Sequence, residues 1–301
     1  MLQNLNAQNF KAHAAVICSN LFLACNYNLV KTISPNFIGP FALNALRVGI
    51  SLALFWTIWC FGDTRAGFAK KDWLRFILCA LTGVVINQLL FIKGLTLTST
   101  IHASLLILVT PLIVTFFAFW VLKERFTIHV AIGLALGVSG AVFLILQRET
   151  SNTATNYLLG DILVITNAIA YSLYFILVKP LMARYTPMHI MQWMFTIGFF
   201  SMLPVGWRQM TEINTDLFRG IHLIALVFIC VFGTFLAYYF NIYGIQRLGA
   251  SITGTYIYTQ PVFAVSIAII FLDEQINWQK IAAAVLIFAG VFLVNLKRNK
   301  T

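Results

Sequence analysis

The chain has 301 residues, of which 60% are hydrophobic and 10% charged, with a formal net charge of +11. A soluble domain has roughly 45 to 50% apolar and about 25% charged residues, so this composition excludes a water-soluble globular protein. Basic loops beside anionic lipid headgroups explain the net charge, and no nucleic-acid partner is required.

Ten continuous apolar runs follow a polar tail at residues 1–11, and each is close to the length of about 20 residues that crosses a bilayer. Helices are predicted because the runs do not alternate like barrel strands and because backbone groups in lipid must be satisfied within a segment. The predicted fold class is therefore an all-α polytopic membrane protein with ten transmembrane helices. The spans cover residues 12–30, 37–61, 73–93, 98–122, 128–147, 158–178, 187–206, 220–244, 250–272 and 278–296.

One stretch of sequence occurs twice, 150 positions apart and without a gap. It predicts a five-helix repeat over residues 1–148, a linker at 149–157 and a second repeat over 158–301. Since five is odd, the second repeat enters the membrane from the opposite side, and inverted repeats are typical of alternating-access carriers. The paired landmarks are Gly83 and Gly233, Gly94 and Gly244, Pro111 and Pro261, Leu122 and Leu272, Glu124 and Glu274, Gly140 and Gly290, and Arg148 and Arg298.

The positions of Lys and Arg predict that both termini are cytoplasmic. With the N-terminus inside, thirteen basic residues lie on the inner side, six lie on the outer side, and Arg47 lies within a span. Basic residues favour the cytoplasmic side of a membrane. The first span contains several asparagines and no convincing small-residue cleavage site, so we expect it to be retained rather than cleaved as a signal.

Polar side chains recur at helical spacing in two spans, which predicts stripes that face the protein interior. The first span carries Asn20 and Tyr27, and the sixth carries Asn167, Tyr171 and Tyr174. Such stripes line a solute cavity or form interhelical hydrogen bonds that hold the bundle together, and both interpretations remain open.

Arg47 lies about two turns into the second span, after Pro40. An arginine at membrane depth costs about 3 kcal/mol on insertion scales, so it is expected to face a cavity or a partner. It would either bind a substrate carboxylate or phosphate in a bidentate manner, or cap helix carbonyls at an interface. The structural role is favoured because the aligned part of span seven is apolar.

Further polar candidates lie in spans three, four, eight and nine. His102 is the sharpest candidate for proton coupling because imidazole titrates near neutral pH, although a lone helical His also serves as a hydrogen-bonded packing residue. Asp161, at the start of span six, is the other coupling candidate. The remaining cavity candidates are Asn87, Gln88, Tyr238, Asn241, Tyr256 and Thr259.

Pro111 and Pro261 lie near the middle of spans four and nine. Each removes a backbone donor and clashes with the carbonyl one turn back. The paired break predicts hinges that exchange two access states, with a static bend as the alternative.

Glu124 and Glu274 close spans four and nine, and Thr127 and Asn277 are suitable N-caps for the helices that follow. Because both acids lie at the interface rather than the midplane, they are predicted to be loop anchors that stabilise tight interhelical loops.

Small residues in spans five and ten permit close helix contact within the chain or between chains, so both a monomer and a homodimer remain open. The residues concerned are Gly133, Gly137 and Gly140 in span five, and Ala282, Ala283, Ala284, Ala289 and Gly290 in span ten.

Catalytic signatures are absent from the sequence: it has no Gly-rich phosphate loop, nucleophile elbow or His-Glu-x-x-His. The five cysteines lack paired spacing and are interpreted as packing residues. We therefore predict that the protein is not an enzyme and has no catalytic residue, cofactor or metal. Its expected partners are a small-molecule solute and membrane lipid.

The pattern resembles the EamA-type permeases of the drug/metabolite transporter superfamily over nearly the whole chain. The residues that carry the resemblance are Arg47 after Pro40, Asn87 to Phe91 with Gly94, Pro111, Leu122 to Arg125, Gly133 to Gly140, Tyr243 to Ile245, Leu248 to Ala250, Pro261, Glu274 and Gly290. It departs at Ala283, which stands where the family often has glycine.

The resemblance implies a ten-helix carrier in the inner membrane of a bacterium that moves amino acids or related small metabolites, usually outward. It also implies a central cavity lined mainly by spans one, three, four, six, eight and nine, with spans five and ten at the periphery. Six tyrosines in or near that region would suit a neutral, partly apolar solute such as an aromatic or branched amino acid. They are Tyr171, Tyr174, Tyr238, Tyr239, Tyr256 and Tyr258.

Two alternatives remain. A nucleotide-sugar or organophosphate exchanger would need several Lys or Arg in the cavity, whereas only Arg47 and Lys93 are near it. A polytopic enzyme acting on lipid-linked substrates would need catalytic groups on a loop, and the candidate loop at 207–219 is short. Proton coupling, exchange and facilitated diffusion are all compatible with the sequence.

Overall fold

A computed structural model describes residues 2–61, 67, 69–122, 128–146, 155–248, 253 and 256–295. These residues form helices and connecting turns, with no strand among them. Ten helices, here α1 to α10, occupy the ten predicted apolar runs. They are α1 (Leu2–Ile33), α2 (Pro40–Cys60), α3 (Lys70–Leu97), α4 (100–122), α5 (Ile128–Ile145), α6 (Tyr157–Met182), α7 (Pro187–Thr211), α8 (220–248), α9 (Tyr256–Leu272) and α10 (Trp278–Asn295).

Eight of these helices, α1 to α8, are long and apolar enough to cross a membrane, and α9 and α10 are shorter apolar helices. The all-α, multi-pass class is thus confirmed for the described part of the chain. The helix α1 begins at Leu2, inside the predicted polar tail, and its apolar, membrane-spanning part begins at Phe10. The reason is local: no Gly or Pro occurs before Pro35 to interrupt the helix.

Four of the helices change their winding at positions that the sequence repeat pairs. A π-helical turn interrupts α3 at Leu81–Val85 and α8 at Val231–Leu236, and each contains one of the repeated glycines. A 3-10 turn, at Ile107–Val109 in α4 and Tyr256–Tyr258 in α9, precedes each repeated proline. Such turns mark sites of strain or hinge motion, so the repeat carries paired breaks as well as paired residues.

The contact of α1 with α8 repeats that of α6 with α3. In both contacts, residues of α1 or α6 pack on the repeated glycines of α8 or α3. One side chain of α1 or α6 also donates a hydrogen bond to a backbone carbonyl of α8 or α3. Equivalent residues of α1 and α6 lie 148 positions apart, so Asn167 corresponds to Ser19 rather than Asn20. The pairs are Val16–Gly244 and Val164–Gly94, Ser19–Ala237 and Asn167–Asn87, and Asn26–Gly233 and Tyr174–Gly83.

α5 and α10 pack against each other through their small residues. A Cβ placed on Gly133 would lie 2.6 Å from the Gly290 carbonyl oxygen, and one placed on Gly140 would lie 3.0 Å from the Ala283 carbonyl oxygen. The small-residue pattern therefore serves a contact within the chain. The Ala283 departure is accommodated because Gly140 supplies the space opposite it.

Candidate functional site

Gln260 brings together two predicted residues of α1. Its Nε2 donates to Asn20 Oδ1 at 2.7 Å, and its Oε1 accepts from the Tyr27 hydroxyl at 3.0 Å. All three side chains are buried. Asn20 and Tyr27 therefore meet through a residue of α9 that directly precedes Pro261, and this residue was not predicted.

Arg47 is buried among neutral groups. Its side chain is 3% exposed, and its Nε donates to Thr234 Oγ1 at 2.9 Å, inside the π turn of α8. The hydroxyls of Tyr27 and Tyr238 lie within electrostatic range of the guanidinium. Among the described residues no carboxylate pairs with Arg47, and its recorded hydrogen bond goes to a side-chain hydroxyl rather than to a helix carbonyl.

Gln88 and Tyr238 occupy equivalent positions of the repeat and contact each other. Gln88 Nε2 donates to the Tyr238 hydroxyl at 3.2 Å across 150 positions of sequence. This contact joins the two copies of the repeated sequence in the interior of the protein. The backbone carbonyl of Gln88 also accepts from Asn44 Nδ2 at 3.1 Å. Together the two hydrogen bonds link α2, α3 and α8.

α6 closes the other side of this region. Asn167 Nδ2 donates to the Asn87 carbonyl at 2.6 Å, so Asn87 takes part through its backbone. The Tyr171 and Tyr174 rings stack with centroids 5.7 Å apart, and Tyr174 packs on Gly83. The side chain of Tyr171 lies near those of Tyr27 and Tyr238. We call this assembly the polar core; it comprises Asn20, Tyr27, Asn44, Arg47, Gln88, Asn167, Tyr171, Thr234, Tyr238 and Gln260.

Several amide oxygens of this region lack a donor. Gln88 Oε1, Asn44 Oδ1 and Asn167 Oδ1 are buried and accept no hydrogen bond from the described residues, and Asn26 Oδ1 and Asn28 Oδ1 are in the same condition. A buried polar atom without a partner costs about 1 to 3 kcal/mol, so these oxygens favour a bound donor.

Asn87 and Tyr174 border the polar core, through a backbone carbonyl and a ring contact, while three other predicted cavity residues lie farther from it. The Tyr256 hydroxyl is 2.7 Å from His13 Nδ1 near the start of α1, and Thr259 Oγ1 donates to the Tyr256 carbonyl at 2.7 Å. Asn241 is partly exposed on α8 and takes no part in the hydrogen bonds described above.

His102 also lies away from the polar core, in a pair with Asp161. His102 Nδ1 is 2.9 Å from Asp161 Oδ2, and both side chains are fully buried. Thr98 Oγ1 donates to the other carboxylate oxygen. The two residues proposed separately for proton coupling thus form one site between α4 and α6.

Glu274 caps α4 from the end of α9. Its two carboxylate oxygens accept from the backbone nitrogens of Thr100 at 2.8 Å and Ile101 at 3.0 Å. A carboxylate at a helix N-terminus satisfies unpaired donors and complements the helix dipole. Glu274 therefore joins two helices distant in sequence, beyond its predicted role in its own loop, while Glu124 lies outside the described residues. We call Thr98, His102, Asp161 and Glu274 the end cluster.

The predicted cap of α10 is present, since Asn277 Oδ1 accepts from the Lys280 backbone nitrogen at 2.9 Å. Its counterpart Thr127 lies outside the described residues.

An apolar groove of about 640 Å³ lies between α4, α9 and α10. Leu105, Val262 and Phe288 are among its lining residues, and polar groups contribute little to it. Its chemistry fits lipid acyl chains rather than a polar solute.

Gln260, Thr234 and Asn44 are the core residues that the sequence did not single out. Each had a detectable signal, because Thr234 follows the repeated Gly233 and Asn44 lies one turn before Arg47 on the same face of α2. Gln260 is an amide inside an apolar run, a rare and usually purposeful placement.

The fold is that of a helical, multi-pass membrane protein with paired helix breaks and a buried polar interior. Its relatives assign it to the class of membrane transporters. The sequence model of the EamA-like transporter family matches residues 10–146 and 158–296. The chain is a member of the EamA-like transporter family.

Individual relatives are distant. The uncharacterized transporter YetK of Bacillus subtilis is 23% identical over 265 residues, covering 87% of this chain and 80% of the relative. An uncharacterized transporter of Archaeoglobus fulgidus is 22% identical, covering 97% of this chain and 100% of its own length. A probable terminal-alkyne amino-acid exporter of Streptantibioticus cattleyicolor is 25% identical over 233 residues, covering 75% of this chain and 74% of the relative.

One solved structure, described only as the crystal structure of a protein, superposes with a TM-score of 0.62 at 19% identity. The match covers 96% of this chain and 99% of that one. At this level of identity the likeness shows a shared fold.

Proposed function

We propose that this protein carries amino acids or related neutral solutes outward across the inner membrane of a bacterium by alternating access. The observation that supports the proposal is the contact of Gln88 with Tyr238, which joins the two repeated segments through polar side chains. Transporters built from inverted repeats bind their solute at such a junction. The relative from Streptantibioticus cattleyicolor, a probable terminal-alkyne amino-acid exporter, supports the solute class and direction.

The proposed architecture has ten crossings, with α9 and α10 crossing despite their shorter described lengths. Residues 1–148 and 158–301 form two inverted five-helix halves, and both termini face the cytoplasm. The paired π and 3-10 turns support this arrangement, since alternating access requires the same flexible points in both halves. Pro111 and Pro261, next to the 3-10 turns, act as its hinges. Reporter fusions at each terminus test the orientation, and an external terminus would contradict it.

The charge of the polar core argues against the exchanger of nucleotide sugars or organophosphates. Such solutes carry about two negative charges, while Arg47 is the one buried cation that the described residues contribute to the core. The second alternative, an enzyme acting on lipid-linked substrates, gains no support from the core, which contains amides, hydroxyls and phenols but no acid.

Transport by the reconstituted protein tests the proposal. Proteoliposomes are incubated with radiolabelled leucine, phenylalanine, alanine and UDP-glucose, with empty liposomes as the control. We expect time-dependent movement of at least one amino acid above the empty liposomes. Movement of UDP-glucose without movement of any amino acid would contradict the proposed solute class.

A further inference from the structure

We propose that the polar core binds one α-amino acid as a zwitterion, with Arg47 holding the carboxylate and amide oxygens of Gln88, Asn44 and Asn167 accepting from the ammonium group. The inference rests on the proposed function and deepens it, because it assigns each charged end of the solute to residues of the chain.

The hydrogen bonding and burial of Arg47 indicate where the carboxylate of the solute binds. A guanidinium has five N–H donors, and the recorded hydrogen bond of Arg47 uses the one on Nε. The two terminal nitrogens have no recorded partner among the described residues, although the side chain is 3% exposed. A buried cation without an acid is costly, and the fork of terminal nitrogens matches a carboxylate in geometry and charge.

The ammonium end follows from a pattern shared by three amides. Each uses its side-chain nitrogen inside the protein. Asn44 donates to the backbone carbonyl of Gln88, Asn167 donates to the backbone carbonyl of the neighbouring Asn87, and Gln88 donates to the Tyr238 hydroxyl. Each leaves its oxygen buried without a donor. An ammonium group carries three donors and no acceptor, which is the complement of this set.

The two ends lie in one site because their residues form a closed circuit. Arg47 bonds to Thr234 of α8, one turn from Tyr238, and Tyr238 bonds to Gln88 of α3. The Gln88 carbonyl bonds to Asn44, which lies one turn from Arg47 on α2. Asn167 reaches the same turn of α3 from α6. The cation and the acceptor oxygens therefore belong to one connected network of hydrogen bonds between these four helices.

The test compares solutes that differ at one end. The full-length protein in nanodiscs is heated with leucine, with leucinol, which lacks the carboxylate, or with 4-methylpentanoate, which lacks the ammonium. We expect leucine to raise the Tm in a saturable way, and each analogue to bind at least tenfold more weakly. This comparison uses the unmodified chain, so it does not depend on whether a variant folds.

Variants then assign the residues. Arg47→Gln is expected to weaken leucine binding at least tenfold and Arg47→Lys to weaken it less, because lysine keeps the charge but not the fork. Gln88→Leu is expected to weaken leucine binding several-fold. The matched controls are Arg184→Gln at the Asp72 ion pair and Gln192→Leu, a buried amide on α7 that donates to the Phe55 carbonyl; both are expected to bind leucine normally.

Each outcome decides a separate point. Leucinol binding as well as leucine, or unchanged leucine binding by Arg47→Gln, overturns the carboxylate assignment. Equal binding of 4-methylpentanoate and leucine overturns the ammonium assignment. If no amino acid shifts the Tm while UDP-glucose does, the proposed function fails, and this inference fails with it. This result differs from a failed carboxylate or ammonium assignment, because in those cases leucine still shifts the Tm.

Discussion

The polar core and the end cluster are both buried, but their charged groups have different partners. In the end cluster, both oxygens of Asp161 and both oxygens of Glu274 accept hydrogen bonds from the chain. In the polar core, Arg47 faces no acid among the described residues, and several amide oxygens have no donor.

This difference separates a structural contact from a binding site. Carboxylates with all their acceptors occupied need no further partner, so the end cluster holds α4, α6 and α9 together. A cation and amide oxygens that lack partners are stabilised by a solute that brings them. We therefore expect substitutions in the end cluster to lower stability and substitutions in the core to change solute binding.

The largest effect is expected for Asp161→Ala. It removes the acceptor of both His102 and Thr98, and breaking a buried pair costs about 3 kcal/mol. Thermal unfolding of the purified protein measures the loss. Asp216→Ala is the control, since Asp216 pairs with Arg219 at 3.6 Å on an exposed turn and should cost less than about 0.5 kcal/mol. A Tm of Asp161→Ala equal to that of the control would show that the pair does not hold the helices together.

Glu274→Gln should have a smaller effect. Glutamine keeps one acceptor oxygen but loses the charge and one hydrogen bond at the N-terminus of α4, which costs about 1 to 2 kcal/mol. The same thermal measurement applies, with Glu212→Gln in the exposed pair with Arg208 as the control. Equal Tm values for the two variants would limit Glu274 to a surface role.

The sequence predicted the helices well because each apolar run is long and bounded by polar or proline-containing segments. It predicted breaks at Pro111 and Pro261, and a 3-10 turn precedes each of them, but it did not predict the π turns at Gly83 and Gly233. The type of those turns was not predictable, because a glycine or proline permits a change of winding without choosing between π and 3-10 geometry.

Seven of the ten residues of the polar core were singled out from the sequence, but their connections were not. Asn20, Tyr27, Gln88 and Tyr238 were identified as polar residues at depth, yet their partners depend on how helices distant in sequence pack. The polar stripes of α1 and α6 have the same spacing, which would align Asn20 with Asn167. Packing corrects this by one residue, because a comparison of two helices from sequence alone fixes the repeat of a stripe but not its register against a neighbour.

His102→Gln separates stability from coupling within the end cluster. Glutamine still donates to Asp161 but takes up no proton, so we expect a stability loss below about 1 kcal/mol. We also expect solute transport to continue and any dependence of it on a pH gradient to disappear. Leucine transport in proteoliposomes with and without an imposed pH gradient measures this. A gradient dependence equal to that of the unmodified chain would exclude His102 as the coupling residue.

The smallest stability effect is expected for Tyr238→Phe. It removes the hydroxyl that accepts from Gln88, and an interhelical hydrogen bond in a membrane contributes about 0.6 kcal/mol on average. Gln88 is then free to turn its amide, so leucine binding should weaken about threefold, which corresponds to the same free energy. Tyr239→Phe is the matched control, because that neighbouring side chain is 39% exposed on α8. A Tm loss as large as that of Asp161→Ala, with leucine binding unchanged, would mean that the core hydrogen bonds hold the bundle together and would remove the distinction between the two regions.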